Sequence, residues 1–275
     1  MSKTFIIAEA ACTWLHGGLE AAYRSIGAAK ECGADAWKTQ WTSDPLEMGK
    51  RRGMDGEKYR RLAWDPVWHV LLEEECEKAG IEYMCTVFIP KDAEYINPWV
   101  KRFKVSAFEM FDTELQHACV KAGKYKKPLI VSYNPKGYPW PEGSKEYNAY
   151  QSYYWDKFWP DVCKVGQPQV LHCISKYPCP PEELGVSRCR ETDEGDWLGL
   201  SDHSTSVLSG AVAVGAGAMI IEKHVRLSDT PSTDPDYGHS LCLEGPRDGI
   251  SLEYGETRSE FQIYVDNIRE AERML

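Results

Sequence analysis

The sequence predicts an α/β protein of one domain, a (β/α)8 TIM barrel. Three observations predict it. Eight short apolar runs of strand character alternate with helical patterns along 275 residues, an ordinary length for such a barrel. The first strand is followed only by the pair Gly17–Gly18, whereas an open doubly wound sheet would carry a glycine-rich phosphate loop there. Polar and ionisable residues gather at the C-terminal ends of the runs, where a barrel places its chemistry.

The elements follow in order. Residues 4–9 (TFIIAE) read as the first strand, and residues 18–33 as a helix closed by Gly33. Residues 34–40 (ADAWKTQ) are the second strand. Residues 64–80 are a helix, with Asp65 placed as N-cap and Pro66 as its first residue. Residues 81–88 form the third strand, a short helix runs over 91–99, and 102–107 form the fourth strand. A capped helix over 112–124 leads to the fifth strand at 127–133. The sixth, seventh and eighth strands fall at 168–174, 196–202 and 217–224, with a small-residue helix over 204–217 between the last two. An amphipathic helix over 256–275 closes the chain. Residues 133–166 interrupt this pattern with an insertion crowded by Tyr, Trp, Pro and Gly. It reads either as a long covering loop or as an active-site lid, because it follows the C-terminal end of a strand.

Composition narrows the classes. Apolar residues at 43% and charged residues at 27% are a globular balance, which excludes disordered and fibrous chains. The net charge of −10 argues against nucleic acid and against an anionic membrane surface, but leaves room for a local basic pocket. No apolar run reaches the roughly 18 residues of a membrane helix. The ten cysteines are scattered without a CxxC pair, and read as reduced, buried thiols of a cytoplasmic protein.

The strand ends carry a recognisable set. Glu9 ends the first strand, Lys38 and Gln40 the second, and Thr86 the third. Lys104 lies in the fourth, with Glu109 just beyond, and Ser132 ends the fifth. His172, Ser175 and Tyr177 mark the sixth, Ser201, Asp202 and His203 the seventh, and Glu222, Lys223 and His224 the eighth. A lone histidine beside an apolar run is ordinarily a core residue. Two at matching positions on strands about 4.8 Å apart can instead bind one ion. Two imidazoles with oxygen ligands suit Mn²⁺, Co²⁺, Zn²⁺ or Fe²⁺, and Glu9, Asp202, Glu222 or Asp236 could complete or orient the set. Lys38 and Lys104, within strands, are either paired core lysines or the cations of a small anion pocket.

In order along the chain, "FIIAEA", "AAKECGADAWKTQ", "YMCTVF", "KVSAFE", "KPLIVS", "VLHCISKYPCPPEEL", "LGLSDHS" and "MIIEKHV" make it resemble the sialic acid synthase family. These enzymes condense phosphoenolpyruvate with an amino sugar. The resemblance implies a divalent metal on His203 and His224, most commonly Mn²⁺, with Mg²⁺ or Co²⁺ as alternatives. It implies phosphoenolpyruvate near Lys38, Thr86, Lys104, Ser132, Ser175 and Ser201, and a sugar near Gln40, Glu109, Tyr177 and Asp236. Glu109 is the first choice for handling water or a proton, Glu9 the second, and Lys104 balances charge with Lys38.

The chain departs from the family pattern in four places. An Asn-His pair after the first strand is replaced by "CTWLHGG", with His16 displaced. Ala107 stands where the family places a serine, and the aromatic segment replaces a short turn after the fifth strand. The small C-terminal antifreeze-like domain, which supplies an arginine to a partner's sugar site, is expected to be absent. A homodimer or a separate cap-domain chain is then the expected partner. The leading expectation is a metal-dependent, phosphoenolpyruvate-using sugar-acid synthase. A divergent lyase or hydrolase on the same barrel, and a non-catalytic sugar-binding protein, are the alternatives.

Overall fold

The computed structural model describes residues 3–135, 143–145, 148, 152, 168–190, 197–245 and 258–275. Eight strands run parallel in chain order: β1 (Phe5–Ala11), β2 (Ala36–Gln40), β3 (Glu82–Thr86), β4 (Phe103–Val105), β5 (Leu129–Tyr133), β6 (Pro168–Cys173), β7 (Trp197–Asp202) and β8 (Ile220–Arg226). β8 pairs back onto β1, so the sheet closes into a (β/α)8 barrel. The described helices are α1 (Gly18–Glu31), α2 (Pro45–Arg52), α3 (Trp68–Ala79), α4 (Pro90–Ile96), α5 (Thr113–Ala122), α6 (Ser209–Gly215) and α7 (Glu260–Met274). A two-residue strand, β9 (Leu241–Cys242), pairs parallel with the end of β8.

Side chains two residues apart on a strand share a face. Ile7, Ala36, Met84, Ile130, Leu171 and Ile220 form one buried apolar layer inside the barrel. Two residues further on, six strands carry Glu9, Lys38, Thr86, Ser132, Cys173 and Glu222. The apolar layer is therefore a floor, and the polar layer stands on it. Gly199 keeps β7 close to β8, since a Cβ there would lie 1.8 Å from the Ile220 carbonyl oxygen.

The main core lies between the barrel and its helices. Trp14, Trp37 and Trp64 are buried there, and Trp14 meets the rings of the other two and of Trp68 at centroid distances of 5.6 to 6.2 Å. The nine described cysteines are free and buried, as expected for thiols used as small core residues. Among the described residues no helix is long and apolar enough to cross a membrane.

Among the differences from the sequence reading, three have a clear local cause. The helix expected from residue 64 begins at Trp68; Asp65 Oδ1 accepts from the Val67 amide 3.0 Å away, so it caps a turn before the helix. The helix expected over 204–217 starts only at Ser209. Ser204 and Ser209 hydroxyls are both drawn to the Asp202 carboxylate, at 2.8 and 2.5 Å, which holds the first residues in a loop. Between β2 and α3 the reading left out α2 and a 3-10 turn over Gly56–Leu62. The signals were present: Asp44 caps α2 through the Glu47 amide and Pro45 opens it. α2 and the turn touch through Gly49 and Gly56, where a Cβ on Gly49 would lie 2.4 Å from the Gly56 Cα. The aromatic segment expected over 133–166 lies, beyond Pro135, almost wholly outside the described residues.

Two histidines away from the barrel mouth give the fold a pH signature. Burial pushes His69 down to about 3, where its Nδ1 meets the Tyr83 hydroxyl at 2.8 Å. Burial pushes His172 down to about 4, against the opposing effect of the Leu184 carbonyl at 2.7 Å. The unfolded chain protonates both near 6.5, so between that pH and the folded values it binds more protons than the native state. Stability is therefore full above pH 6.5 and falls as pH drops, by roughly 2 kcal/mol per histidine at pH 5. Urea midpoints at pH 7, 6 and 5 check this, and a flat series would contradict it.

Candidate active site

Period-2 alternation brings the strand-end groups together above the apolar floor. Glu9 is paired in register with Lys38 on β2 and with His224 on β8. The β1–β2 register shifts between Glu9 and Ala11, a bulge of the kind that re-aims side chains beside active sites. Lys38 Nζ contacts Glu9 Oε2, donates to Thr86 Oγ1 at 2.6 Å and lies 3.5 Å from Glu222 Oε2. Lys104 Nζ donates to Ser132 Oγ at 2.8 Å and lies 3.6 Å from Glu222 Oε1. Ser201 Oγ donates to Glu222 at 3.0 Å, and Gln40 Nε2 donates to Glu9 Oε1 at 3.1 Å. Both lysines and Glu9 are 2% exposed or less.

Charges this deep hold each other in place. Burial disfavours the Glu9 carboxylate and raises it above the usual range, against the pull of Lys38. Burial would also raise Glu222, but Lys104 and Lys38 outweigh it and hold that carboxyl low. Burial lowers Lys104, while Glu222 and Glu9 keep Lys38 raised despite the same burial. The cluster is thus two lysines facing two carboxyls, of which Glu222 is held low and Glu9 is the readier to take up a proton. Cys173 lines the same cavity, and burial pushes its thiol up to about 12, which makes it a wall and not a nucleophile.

Beside this cavity lie three histidines. The rings of His203 and His224 are 5.4 Å apart, and those of His224 and His239 are 4.6 Å apart. His203 Nδ1 donates to the Ile174 carbonyl at 2.8 Å, which fixes the tautomer and leaves Nε2 with its lone pair. Burial pushes His203 down to about 4, and burial with the neighbouring His239 and His203 pushes His224 well down. Both are neutral near pH 7, the form that ligates metals. His224 Nδ1 is buried without a hydrogen-bond partner. One donor atom each from His224, Asp236 and His239 fall within 4.8 Å of one another. Neutral imidazoles, an unpartnered ring nitrogen and a nearby carboxylate are a donor set that fits a divalent ion.

A wider pocket of about 390 Å³ opens above, a volume in the range of small-ligand sites. It shares Gln40, Ser106, Tyr177 and His224 with the inner cavity. Arg52 from α2 reaches into it, packed on the rings of Phe108, Tyr59 and Phe88 at 4.6 to 5.1 Å, and donates to Glu109 Oε1 at 2.5 Å. Arg61 lies 3.3 Å from both Asp234 and Asp236. The Tyr177 ring lies 4.1 Å from that of His203 and 4.9 Å from that of His239.

Of the residues expected from the sequence, Glu9, Lys38, Gln40, Thr86, Lys104, Ser132, Tyr177, Ser201, His203 and His224 line the inner cavity, and Asp236 lines the outer pocket. Glu109 touches the cavity through Ser106, whose hydroxyl bonds its carboxylate, and Ser175 stands just past β6 and outside both linings. Of the carboxylates expected as companions of the histidines, Glu222 lines the inner cavity with His203 and His224, and Asp202 is engaged elsewhere. Asp202 faces out of the barrel, where it pairs with Lys223 at 3.1 Å and accepts from the Tyr264 hydroxyl at 3.0 Å. Glu222 also serves the lysines. His16 bonds Thr13 and Asp229 and stays out of both linings. Sequence reasoning missed His239, Arg52 and Arg61. None sits at a strand end; the spacing of His239 three residues after Asp236 was the one available signal.

The comparisons with known proteins agree with this architecture. The model of the NeuB family matches residues 25–248. Pseudaminic acid synthase of Campylobacter jejuni is 30% identical over 300 residues, covering 99% of this chain and 75% of that protein. N,N'-diacetyllegionaminic acid synthase of Legionella pneumophila is 30% identical over 288 residues, covering 98% of this chain and 73% of that one. The fold matches the crystal structure of an N-acetylneuraminic acid synthetase from Leptospira borgpetersenii with a TM-score of 0.77 and 21% identity, over 99% of this chain and 85% of that chain. The closed barrel fold is thus that of the synthetase structure, and the family match over most of the sequence, with relatives 30% identical over nearly its whole length, shows that the chain belongs to the NeuB family.

Proposed function

We propose that this protein condenses phosphoenolpyruvate with the open-chain aldehyde of an N-acylated amino sugar, an N-acetylmannosamine-like acceptor. The products are a sialic-acid-like nonulosonic acid and phosphate. The observation that carries the reading is the pair of buried lysines, Lys38 and Lys104, with hydroxyls on them and a sugar-sized pocket directly above. Membership of the NeuB family supports it.

In this reading Lys38 and Lys104 hold the phosphate and carboxylate of phosphoenolpyruvate, and Thr86, Ser132 and Ser201 turn their hydroxyls to the same anions. Low dielectric makes two ammonium groups strong anion binders there. His203 and His224 would hold a divalent ion, which would supply Lewis-acid polarisation of the aldehyde oxygen. The enol C3 attacks the aldehyde carbon and forms the C–C bond. Glu9, the readier of the two carboxyls to take up a proton, passes one to the nascent alkoxide. Water adds at C2 and gives up a proton towards Glu109 through Ser106, and the tetrahedral centre expels phosphate by C–O cleavage. Gln40 and Tyr177, at the boundary of the two cavities, orient the acceptor, and Asp236 bounds its far end.

Incubation with phosphoenolpyruvate, Mn²⁺ and a panel of amino sugars should release phosphate. In ¹⁸O-water the label should enter the sugar acid and not the phosphate. The His224→Ala variant should lose the ion and at least about 10²–10³-fold in rate, the cost of removing one electrostatic stabiliser. No phosphate from any sugar, with phosphoenolpyruvate failing to bind, would sink the reading.

A further inference from the structure

We propose that His239 is a third imidazole ligand of the ion, so that this chain's site is nitrogen-rich and takes Zn²⁺, Co²⁺ or Fe²⁺ in preference to Mg²⁺ or Mn²⁺. This rests on the reading of the barrel mouth as a metal-dependent site. His239 ends a 3-10 turn over Tyr237–His239, for which Asp236 is the N-cap. In such a turn residues i and i+3 eclipse, so Asp236 and His239 present their side chains on one side. β9 follows at once, and its pairing of Leu241 with Val225 anchors the turn beside the residue that follows His224. Ser240 Oγ donates to the Asp236 carbonyl at 2.6 Å and Arg226 Nε donates to the Tyr237 carbonyl at 3.3 Å, which fastens the turn from both sides. The segment is thus folded back over the end of β8, and His239 lands 4.6 Å from His224, ring to ring.

The polar atoms at this place lack protein partners. His239 is 3% exposed and its Nε2 has no hydrogen bond; the nearest carboxylate oxygen, Asp236 Oδ1, is 3.5 Å away. His224 is 6% exposed, with Nδ1 equally unpartnered. The core histidine His69 also has one unpartnered ring nitrogen, Nε2, but it sits among aromatic rings, with Nδ1 on the Tyr83 hydroxyl at 2.8 Å and its ring stacked on Trp99; at His224 and His239 two such rings and a carboxylate meet in one place. Two adjacent buried rings with free nitrogens beside a carboxylate would each bear a desolvation cost. A shared ion removes it. Imidazole-rich sets favour zinc, iron and cobalt, whereas magnesium and manganese favour carboxylate and water.

The test uses Zn²⁺ itself. X-ray absorption on the zinc-loaded wild-type protein should count three imidazoles. After dialysis against equimolar Zn²⁺, Mn²⁺ and Mg²⁺, elemental analysis should find zinc. The His239→Gln variant should keep the wild-type circular dichroism, bind Zn²⁺ about 10²-fold more weakly against a chromophoric chelator, and show two imidazoles. Two imidazoles in the wild type, or unchanged zinc affinity in His239→Gln with loss in His224→Ala, overturns the role of His239 and leaves the synthase reading standing. Failure of the wild-type protein to retain any of the ions overturns both the inference and the metal half of that reading.

Discussion

Lys38→Met is expected to weaken phosphoenolpyruvate binding by about 30- to 5,000-fold, the effect of truncating one partner of a buried charge pair at about 2–5 kcal/mol. Lys38 is 2% exposed and is the hub of the inner cavity, touching Glu9, Thr86 and Glu222. Without it the two carboxylates share a buried space with Lys104 alone. The variant should therefore also lose about 3–5 kcal/mol of stability, because a buried charge is left uncompensated. The double variant Lys38→Met/Glu9→Gln separates the two effects. Removing the orphaned carboxylate together with the ammonium should recover most of the stability, since a neutral pair of similar volume is tolerated in place of an ion pair. Phosphoenolpyruvate binding should not recover. Isothermal titration and urea unfolding read the two quantities independently. A double variant that binds phosphoenolpyruvate like the wild type would show that Lys38 is a structural ion-pair partner and not an anion site.

Glu9→Gln is expected to lower kcat by about 10²–10⁴, the usual contribution of a positioned proton donor. The amide keeps the volume and can still bond Gln40, but it has no proton to give. Phosphoenolpyruvate affinity should stay within a few-fold of wild type, because the two lysines remain and one negative charge near the anion is gone. Single-turnover kinetics with saturating phosphoenolpyruvate distinguish this from a binding defect. A Gln variant within tenfold of the wild-type rate would move proton handling to Glu109, which reaches the cavity through Ser106.

Much of this site was legible in the chain. Strand period and polarity were enough to rank Glu9, Lys38, Thr86, Lys104, Ser132, Ser201, His203 and His224 together, because barrel strands present the same end to one mouth. What period alone did not settle was the sorting of neighbours. Asp202 and Lys223 sit next to His203 and His224 in sequence but face outward, where the pair is closed by Tyr264 from α7. Glu222 shares the inner cavity with His203 and His224, and its carboxylate is also held by Ser201 and the two lysines. The helix boundaries at 64 and 204 moved for a local reason, since Asp65, Ser204 and Ser209 spent their polar groups on turns before the helices began.

The sequence by itself determined the barrel and its floor. Apolar residues at i and polar residues at i+2 on successive strands leave few other ways to bury the first set while gathering the second. Only the tertiary structure decided how the mouth is furnished. His239, Arg52 and Arg61 come from short helices and turns between strands, segments whose residues carry no period that points them at a site. Their positions depend on contacts made after closure: β9 on β8 for His239, and the Gly49–Gly56 approach for the two arginines. A strand's side chains are aimed by its own backbone, whereas a loop's are aimed by what the loop packs against.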